Sequence, residues 1–142
     1  MNKIKLLFLC TGNSCRSQMA EGLLRNLRGE EFEVFSAGIE THGINQNAVK
    51  VMKEIGIDIS LQKSQNISEF ENVNLDCVIT VCDNALQTCP VFPNKCKTFH
   101  ISFKDTPALA NKIAKDSGSI EAQLNCYRKV RDEIKEYIIN NL

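Results

Sequence analysis

The sequence predicts an α/β fold, a three-layer α/β/α domain on a four-stranded parallel sheet. Three observations carry this. Ile4–Leu9 (IKLLFL) and Leu75–Val81 (LDCVITV) are apolar runs of strand length, as expected of strands buried on both faces. Segments with helical spacing of apolar residues alternate with the strand-like runs. The chain of 142 residues, 43% hydrophobic, is enough for one buried core, so residues 1–142 are expected to form a single domain.

Each element has its own signal. Ile4–Leu9 is the first strand and stops at a glycine-containing loop. Ala20, Leu23, Leu24 and Leu27 then recur on one helical face, which predicts a helix from Ser17 to about Arg28. Phe32–Ala37 (FEVFSA) alternates and is ended by Gly38, the mark of a second strand. Ala48, Val51, Met52 and Ile55 predict a helix over Asn47–Ile55 with Gly56 as its stop. Asp58–Ser68 is polar and reads as a loop, Leu75–Val81 as the third strand and Lys97–Ile101 as a short fourth. Pro107 and Gly118 are expected to bracket a loop. Ile120, Leu124, Tyr127, Val130, Ile134 and Ile138 form the stripe of a long closing helix. In open parallel sheets, ligands bind beyond the carboxyl ends of the strands. Cys10 and Cys82 each directly follow a strand end, so both are expected at that edge.

Charge and composition exclude several functions. Seventeen basic residues balance seventeen acidic ones, so there is no basic surplus for nucleic acid. No apolar run approaches the roughly 20 residues of a membrane span. The opening residues lack the pattern of a secretory leader, which points to the cytoplasm. Seven cysteines are many for such a chain. Their odd number fits poorly with a disulfide scaffold, and in a reducing compartment clustered cysteines suggest metal binding, catalysis or redox exchange. Cys77 and Cys126 are expected to be lone buried thiols that act as small hydrophobes.

Cys10–Ser17 (CTGNSCRS) concentrates the chemistry. The N–H groups of Thr11, Gly12, Asn13, Ser14, Cys15 and Arg16, converging at a helix start, form a cradle for an oxyanion. Gly12 and Asn13 are the residues suited to the positive φ angles such a loop needs. Arg16 adds a planar fork of donors for a tetrahedral anion. The same field favours thiolate over thiol at Cys10, and Ser17 can donate a hydrogen bond to that sulfur. A charged nucleophile facing a bound oxyanion fits covalent catalysis. The nucleotide phosphate-loop pattern is absent. His42 and His100 show no partner in the sequence and read as surface or packing residues.

Cys82 and Cys89 stand seven residues apart in VCDNALQTCP. On a helix that spacing is roughly 10 Å, against about 4.4–6.8 Å between the Cα atoms of a disulfide. A bridge between them therefore requires the segment to loop or unwind. The alternatives are two ordinary thiols, or a zinc site with Cys77, Cys96 and His100. The spacings lack the tight cysteine pairs of structural zinc, and no metal is assigned.

The stretch Leu7–Leu24 (LFLCTGNSCRSQMAEGLL) resembles the low-molecular-weight protein tyrosine phosphatase fold, and more closely the thioredoxin-coupled arsenate reductases built on it. The similarity continues through FSAGIE (Phe35–Glu40), NAVKVMKEIGIDIS (Asn47–Ser60), VITVCDNA (Val78–Ala85), CPVFP (Cys89–Pro93) and YRKVRDEI (Tyr127–Ile134), which is nearly the whole chain. The resemblance implies arsenate as substrate, with phosphate or sulfate as competing anions. It implies Cys10 as nucleophile, Asp105 as general acid, Cys82 and Cys89 as a disulfide relay, thioredoxin as partner and no cofactor. The phosphatase itself is the alternative; it shares Cys10, Arg16 and Asp105 but needs only the first cysteine. A non-enzymatic redox or metal-binding protein is a third.

The sequence departs from the family pattern in places. Asp105-Thr106-Pro107 stands where the family has an Asp-Pro acid loop, and Ala108, Leu109 and Ala110 replace an aromatic pair that frames a phenyl ring in the phosphatases. Some reductases of this kind bind potassium near the loop. Asn13, Glu21 and Ser36 match that site, but Lys63 and Gln65 stand where the potassium-binding members have Thr and Asp. A Lys63 ammonium filling the ion's role would leave little dependence on potassium.

Overall fold

The structure, a computed structural model, describes residues 2–81, 96–103, 106–116 and 118–142. Its sheet has four parallel strands in the order β2-β1-β3-β4: β1 (Ile4–Cys10), β2 (Phe32–Gly38), β3 (Cys77–Thr80) and β4 (Lys97–His100). This is the expected α/β class. The helices are α1 (Arg16–Arg28), α2 (Gln46–Lys53), α3 (Thr106–Asp116) and α4 (Ile120–Asn141), with a short 3₁₀ turn at Ile67–Phe70.

β1 is central, and its alternation splits the core in two. Leu6, Phe8 and Cys10 face one side with Ile79 of β3, under Met19, Leu23 and Leu24 of α1, Val51 and Met52 of α2, and Tyr127, Val130, Ile134 and Ile138 of α4. Leu7 and Leu9 face the other side with Ala37, Leu75 and Val78, under Phe70 of the 3₁₀ turn. A strand buried on both faces has no polar face, hence the unbroken apolar stretch Leu6–Leu9. Removing one such side chain, for instance by Leu→Ala, typically costs about 2–5 kcal/mol. β4 is the exception, with all four residues exposed. Among the described residues no helix is long and apolar enough to cross a membrane.

Two loops expected from the sequence contain regular structure. Residues 106–116 form α3 because Pro107 lies in the first turn, where its missing N–H is not needed. Ala108, Leu109, Ala110 and Ala114 favour helix, and Gly118, at φ +68°, ends it by donating to the Ile113 carbonyl at 3.3 Å. The segment after Asp58 ends in the 3₁₀ turn, closed by a reciprocal cap between Asn66 and Glu69.

Cys77 and Cys126 are half-buried rather than enclosed. At Cys77, burial pushes the thiol up to about 11, and the neighbouring Cys96 adds to the effect. At pH 8 the thiolate fraction of such a group is about one in a thousand, against roughly a quarter for an unperturbed thiol near 8.5. Iodoacetamide is therefore expected to label Cys77 roughly 100-fold more slowly in the native chain than in urea. Peptide mapping by mass spectrometry checks this; equal rates would mean that the thiol is open to solvent.

Candidate active site

Cys10 is the last residue of β1, buried at 3% exposure and paired in register with Gly38 at the end of β2. Because the strands are parallel, the loops that extend from them leave from the same edge and run side by side. Each carbonyl of the loop after Cys10 is bound from outside. Thr11 O accepts from Glu40 N–H (3.0 Å), Gly12 O from His42 N–H (3.1 Å) and Ser14 O from Asn45 N–H (2.9 Å). Asn13 O accepts from Gln18 Nε2 (3.0 Å) and Ser64 Oγ (3.0 Å), and Cys15 O from Met19 N–H of α1 (2.9 Å). In a trans peptide the carbonyl and the following N–H point in opposite directions. With the carbonyls turned out, the amides of residues 12–16 face the other side of the loop, and α1 begins there. The N-cap positions of α2 and α4, Asn45 and Ser119, supply side-chain caps, whereas that of α1 does not. The loop thus presents converging donors with the positive end of a helix behind them.

Asn13, at φ +47°, is the one non-glycine residue with positive φ among the described residues. Its side chain holds the turn: Nδ2 donates to Ser17 Oγ at 2.9 Å, and Oδ1 accepts from Gln65 N–H at 2.7 Å. Gly12 does not adopt the positive φ expected of it. A Cβ there would lie 2.6 Å from the exposed His42 imidazole. Ser17 is buried and acts as an acceptor towards Asn13, so its own proton is available for another partner. Arg16 is nearly buried, and its Nη1 donates to the Phe103 carbonyl at 3.1 Å. Cys15 is buried in the core beside this turn.

Cys82, Cys89 and Asp105 lie outside the described residues. Their flanks are described. Val81 N–H donates to the Leu9 carbonyl at 2.9 Å, so the chain leaves β3 beside the end of β1. Phe103, whose carbonyl meets Arg16, and buried Thr106 bracket residues 104–105.

The two histidines do have partners. His42 Nε2 lies 2.7 Å from Glu40 Oε2, and His100 Nδ1 lies 2.7 Å from Thr80 Oγ1. The donors of segment 40–45, Ser64 and Gln18 escaped the sequence reading. Most act through backbone N–H groups, which carry no residue signature; the glycine at 38 was the one visible hint.

Glu21 and Ser36 do meet behind the loop. One Glu21 oxygen accepts from the Ser36 hydroxyl at 2.5 Å and the other from Arg25 at 2.7 Å. Asn13 Oδ1 is already an acceptor from Gln65 and Gln18. The carboxylate that a potassium ion would need is thus already neutralised by a side chain of α1. The cation seated at Glu21 is Arg25, where the sequence pointed to Lys63.

A cysteine at a strand end, a loop of inward amides and a buried arginine define the phosphatase type of anion site. The chain belongs to the low molecular weight phosphotyrosine protein phosphatase family, whose model matches residues 5–141. It is 49% identical over 138 residues to an arsenate reductase of Halalkalibacterium halodurans, covering 97% of this chain and 94% of that one. It is 50% identical over 133 residues to an arsenate reductase of Bacillus subtilis, covering 94% and 90%. Among solved structures, an arsenate reductase in the phosphate binding state superimposes with TM-score 0.74 at 32% identity, covering 96% of this chain and 95% of that one. A low molecular weight protein tyrosine phosphatase from T. tengcongensis gives 0.72 at 28% identity, covering 99% and 100%.

This geometry sets two expectations. A Cβ at Gly38 would meet only backbone, at 2.7 Å from Thr11 O and 2.8 Å from Asn13 N and Glu40 O, whereas at Gly12 the obstacle is an exposed imidazole that can swing away. Gly38→Ala should weaken inorganic phosphate binding at least about tenfold and Gly12→Ala less than about threefold, read by calorimetry. Activity in potassium and sodium chloride should agree within about twofold, because Arg25 already neutralises Glu21; strong, specific activation by potassium would show that the ion displaces it.

Proposed function

We propose that this chain is an arsenate reductase that turns arsenate into arsenite and is reset by thioredoxin in the cytoplasm. The observation that carries the reading is the anion loop itself, with its carbonyls tied outward and Cys10 and Arg16 at its two ends. Reduction is preferred over phosphate-ester hydrolysis because Cys82 and Cys89 supply two more thiols, and because the relatives matched along nearly the whole chain are named arsenate reductases.

Arsenate, a tetrahedral oxyanion, binds to the amides of residues 11–16 and to the Arg16 guanidinium. The Cys10 thiolate attacks arsenic and an oxygen leaves as water, with Asp105 giving the proton. The Ser17 hydroxyl, oriented by Asn13, donates to the Cys10 sulfur. Cys82 then attacks the Cys10 sulfur. The sulfur–arsenic bond breaks, its electron pair stays on arsenic, As(V) becomes As(III), and arsenite departs from a Cys10–Cys82 disulfide. Cys89 attacks Cys82 and releases the Cys10 thiolate, leaving a Cys82–Cys89 disulfide that the dithiol of thioredoxin reduces. Phosphate and sulfate share the size and charge of arsenate and compete for the loop.

Arsenate-dependent NADPH oxidation, with thioredoxin and thioredoxin reductase supplied, tests the scheme. Sustained turnover is expected, with Cys10→Ser, Cys82→Ser and Cys89→Ser each lowering it by at least about a thousandfold, as for loss of a nucleophile that acts as part of a unit. Sustained turnover in Cys82→Ser would overturn the relay. The second reading, a tyrosine phosphatase, rests on the same loop. Hydrolysis of an aryl phosphate that needs Cys10 alone, without arsenate turnover, would favour it.

A further inference from the structure

Of the loop carbonyls from Thr11 to Ser14, that of Asn13 is held by side chains alone, whereas its neighbours are held by the backbone N–H groups of Glu40, His42 and Asn45, with the Ser64 hydroxyl also 3.3 Å from the Gly12 carbonyl. Its two donors are the Ser64 hydroxyl and the amide of Gln18. Gln18 lies in the first turn of α1 and is fully buried. Its Nε2 is 3.0 Å from Asn13 O, 3.1 Å from Asn13 Oδ1 and 3.0 Å from the Lys63 carbonyl. A primary amide has two hydrogens, so one is shared between the two Asn13 oxygens while the other reaches residue 63. The amide oxygen of Gln18 accepts from Gln62 Nε2 at 2.8 Å, and the same Gln62 nitrogen donates to the Gln18 backbone carbonyl at 3.0 Å. That second contact fixes which way the Gln18 amide faces. Gly22 lies against this pair, where a Cβ would come 2.6 Å from Ile59 Cγ2 and 3.3 Å from Gln62 Oε1. A buried amide with unmet hydrogen bonds is costly, and here each polar atom has a partner.

We propose that Gln18 is a positioning residue for the oxyanion, oriented in turn by Gln62. It gathers the Asn13 carbonyl, the Asn13 side chain and the residue-63 carbonyl on one nitrogen. It thereby holds the left-handed turn at Asn13 and keeps the peptide between residues 13 and 14 turned so that the Ser14 N–H faces the anion. Gln18 itself does not touch the anion. Its loss weakens ground-state and transition-state binding alike, which raises KM and leaves kcat nearly unchanged. The inference rests on the reading of the loop as an oxyanion cradle.

The test is calorimetric titration of the reduced full chain with inorganic phosphate, a probe that requires no reduction. Gln18→Met keeps the length of the side chain and removes its donor. Its dissociation constant for phosphate is expected to rise about tenfold or more, with a smaller rise for Gln62→Met. The double variant should be no weaker than Gln18→Met alone, because Gln62 acts through Gln18. In the arsenate assay KM should rise by the same factor with kcat within about twofold. A folded Gln18→Met chain that binds phosphate as the parent does overturns the proposal, whatever its thermal midpoint. Should that variant not fold, Gln62→Met, whose side chain is only partly buried, decides alone, and unchanged phosphate affinity there overturns it. A parent chain that binds no phosphate would overturn the cradle reading itself.

Discussion

The direction of a few peptide planes is the constraint on which the rest depends. A peptide is a rigid plate, so turning its carbonyl one way turns the next amide the other way. Between Thr11 and Cys15 every carbonyl is bound from outside the loop, and the amides of residues 12–16 are committed to the opposite side. Three of these donors come from one stretch, residues 40–45, just after β2. That stretch runs beside the loop because Gly38 ends β2 in register with Cys10. The second strand thus serves the site without giving it a side chain. Donors held in this way need not reorganise when an anion arrives, which is what makes preorganised amides effective towards developing charge.

The sheet supplies rigidity and a low-polarity setting. Cys10 ends a strand whose residues Leu6, Leu7, Phe8 and Leu9 are essentially inaccessible, so the backbone of the proposed nucleophile has little room to shift. The Arg16 guanidinium is nearly buried and anchored to the Phe103 carbonyl. A charge in that setting acts on an anion more strongly than it would in water. Behind the loop, Arg25, Glu21 and Ser36 form a pairing that keeps a buried carboxylate neutralised from within the chain.

The parts legible in the sequence are those whose determinants are contiguous. The two inner strands showed as apolar runs because burial on both faces leaves no alternation to misread. The anion loop showed because its cysteine, small residues and arginine are adjacent. α3 did not show, because Pro107 and Gly118 suggest loop edges when read alone; one is a tolerated first-turn residue and the other a helix stop. The positive φ expected of both Gly12 and Asn13 occurs at Asn13, where one of the side-chain hydrogen bonds that hold the turn comes from the distant Gln65. The ties that aim the loop were hidden more thoroughly. Four of them join residues about 30 or more positions apart, and they act largely through backbone N–H groups, which look the same in every residue but proline.

The loop recognises a shape and a charge, and it stops there. Inward amides and a guanidinium fork suit any tetrahedral oxyanion of similar size, and a thiolate at the strand end attacks phosphorus or arsenic by the same approach. The fate of the first covalent intermediate depends on which group next reaches the Cys10 sulfur or the atom bonded to it. Attack by water on the bonded atom completes a hydrolysis; attack by a second thiolate on the sulfur completes a reduction, because the sulfur–arsenic electron pair is then left on arsenic. In the proposed relay that thiolate follows β3, and the topology brings the end of β3 to the site. β3 is the neighbour of β1 on the side opposite β2, and Val81 N–H on the Leu9 carbonyl carries the pairing to the very end of the strand. The next residue in the chain after Val81 is a cysteine. In the proposed relay that cysteine selects reduction, and it lies after the third strand, outside the loop that both chemistries require.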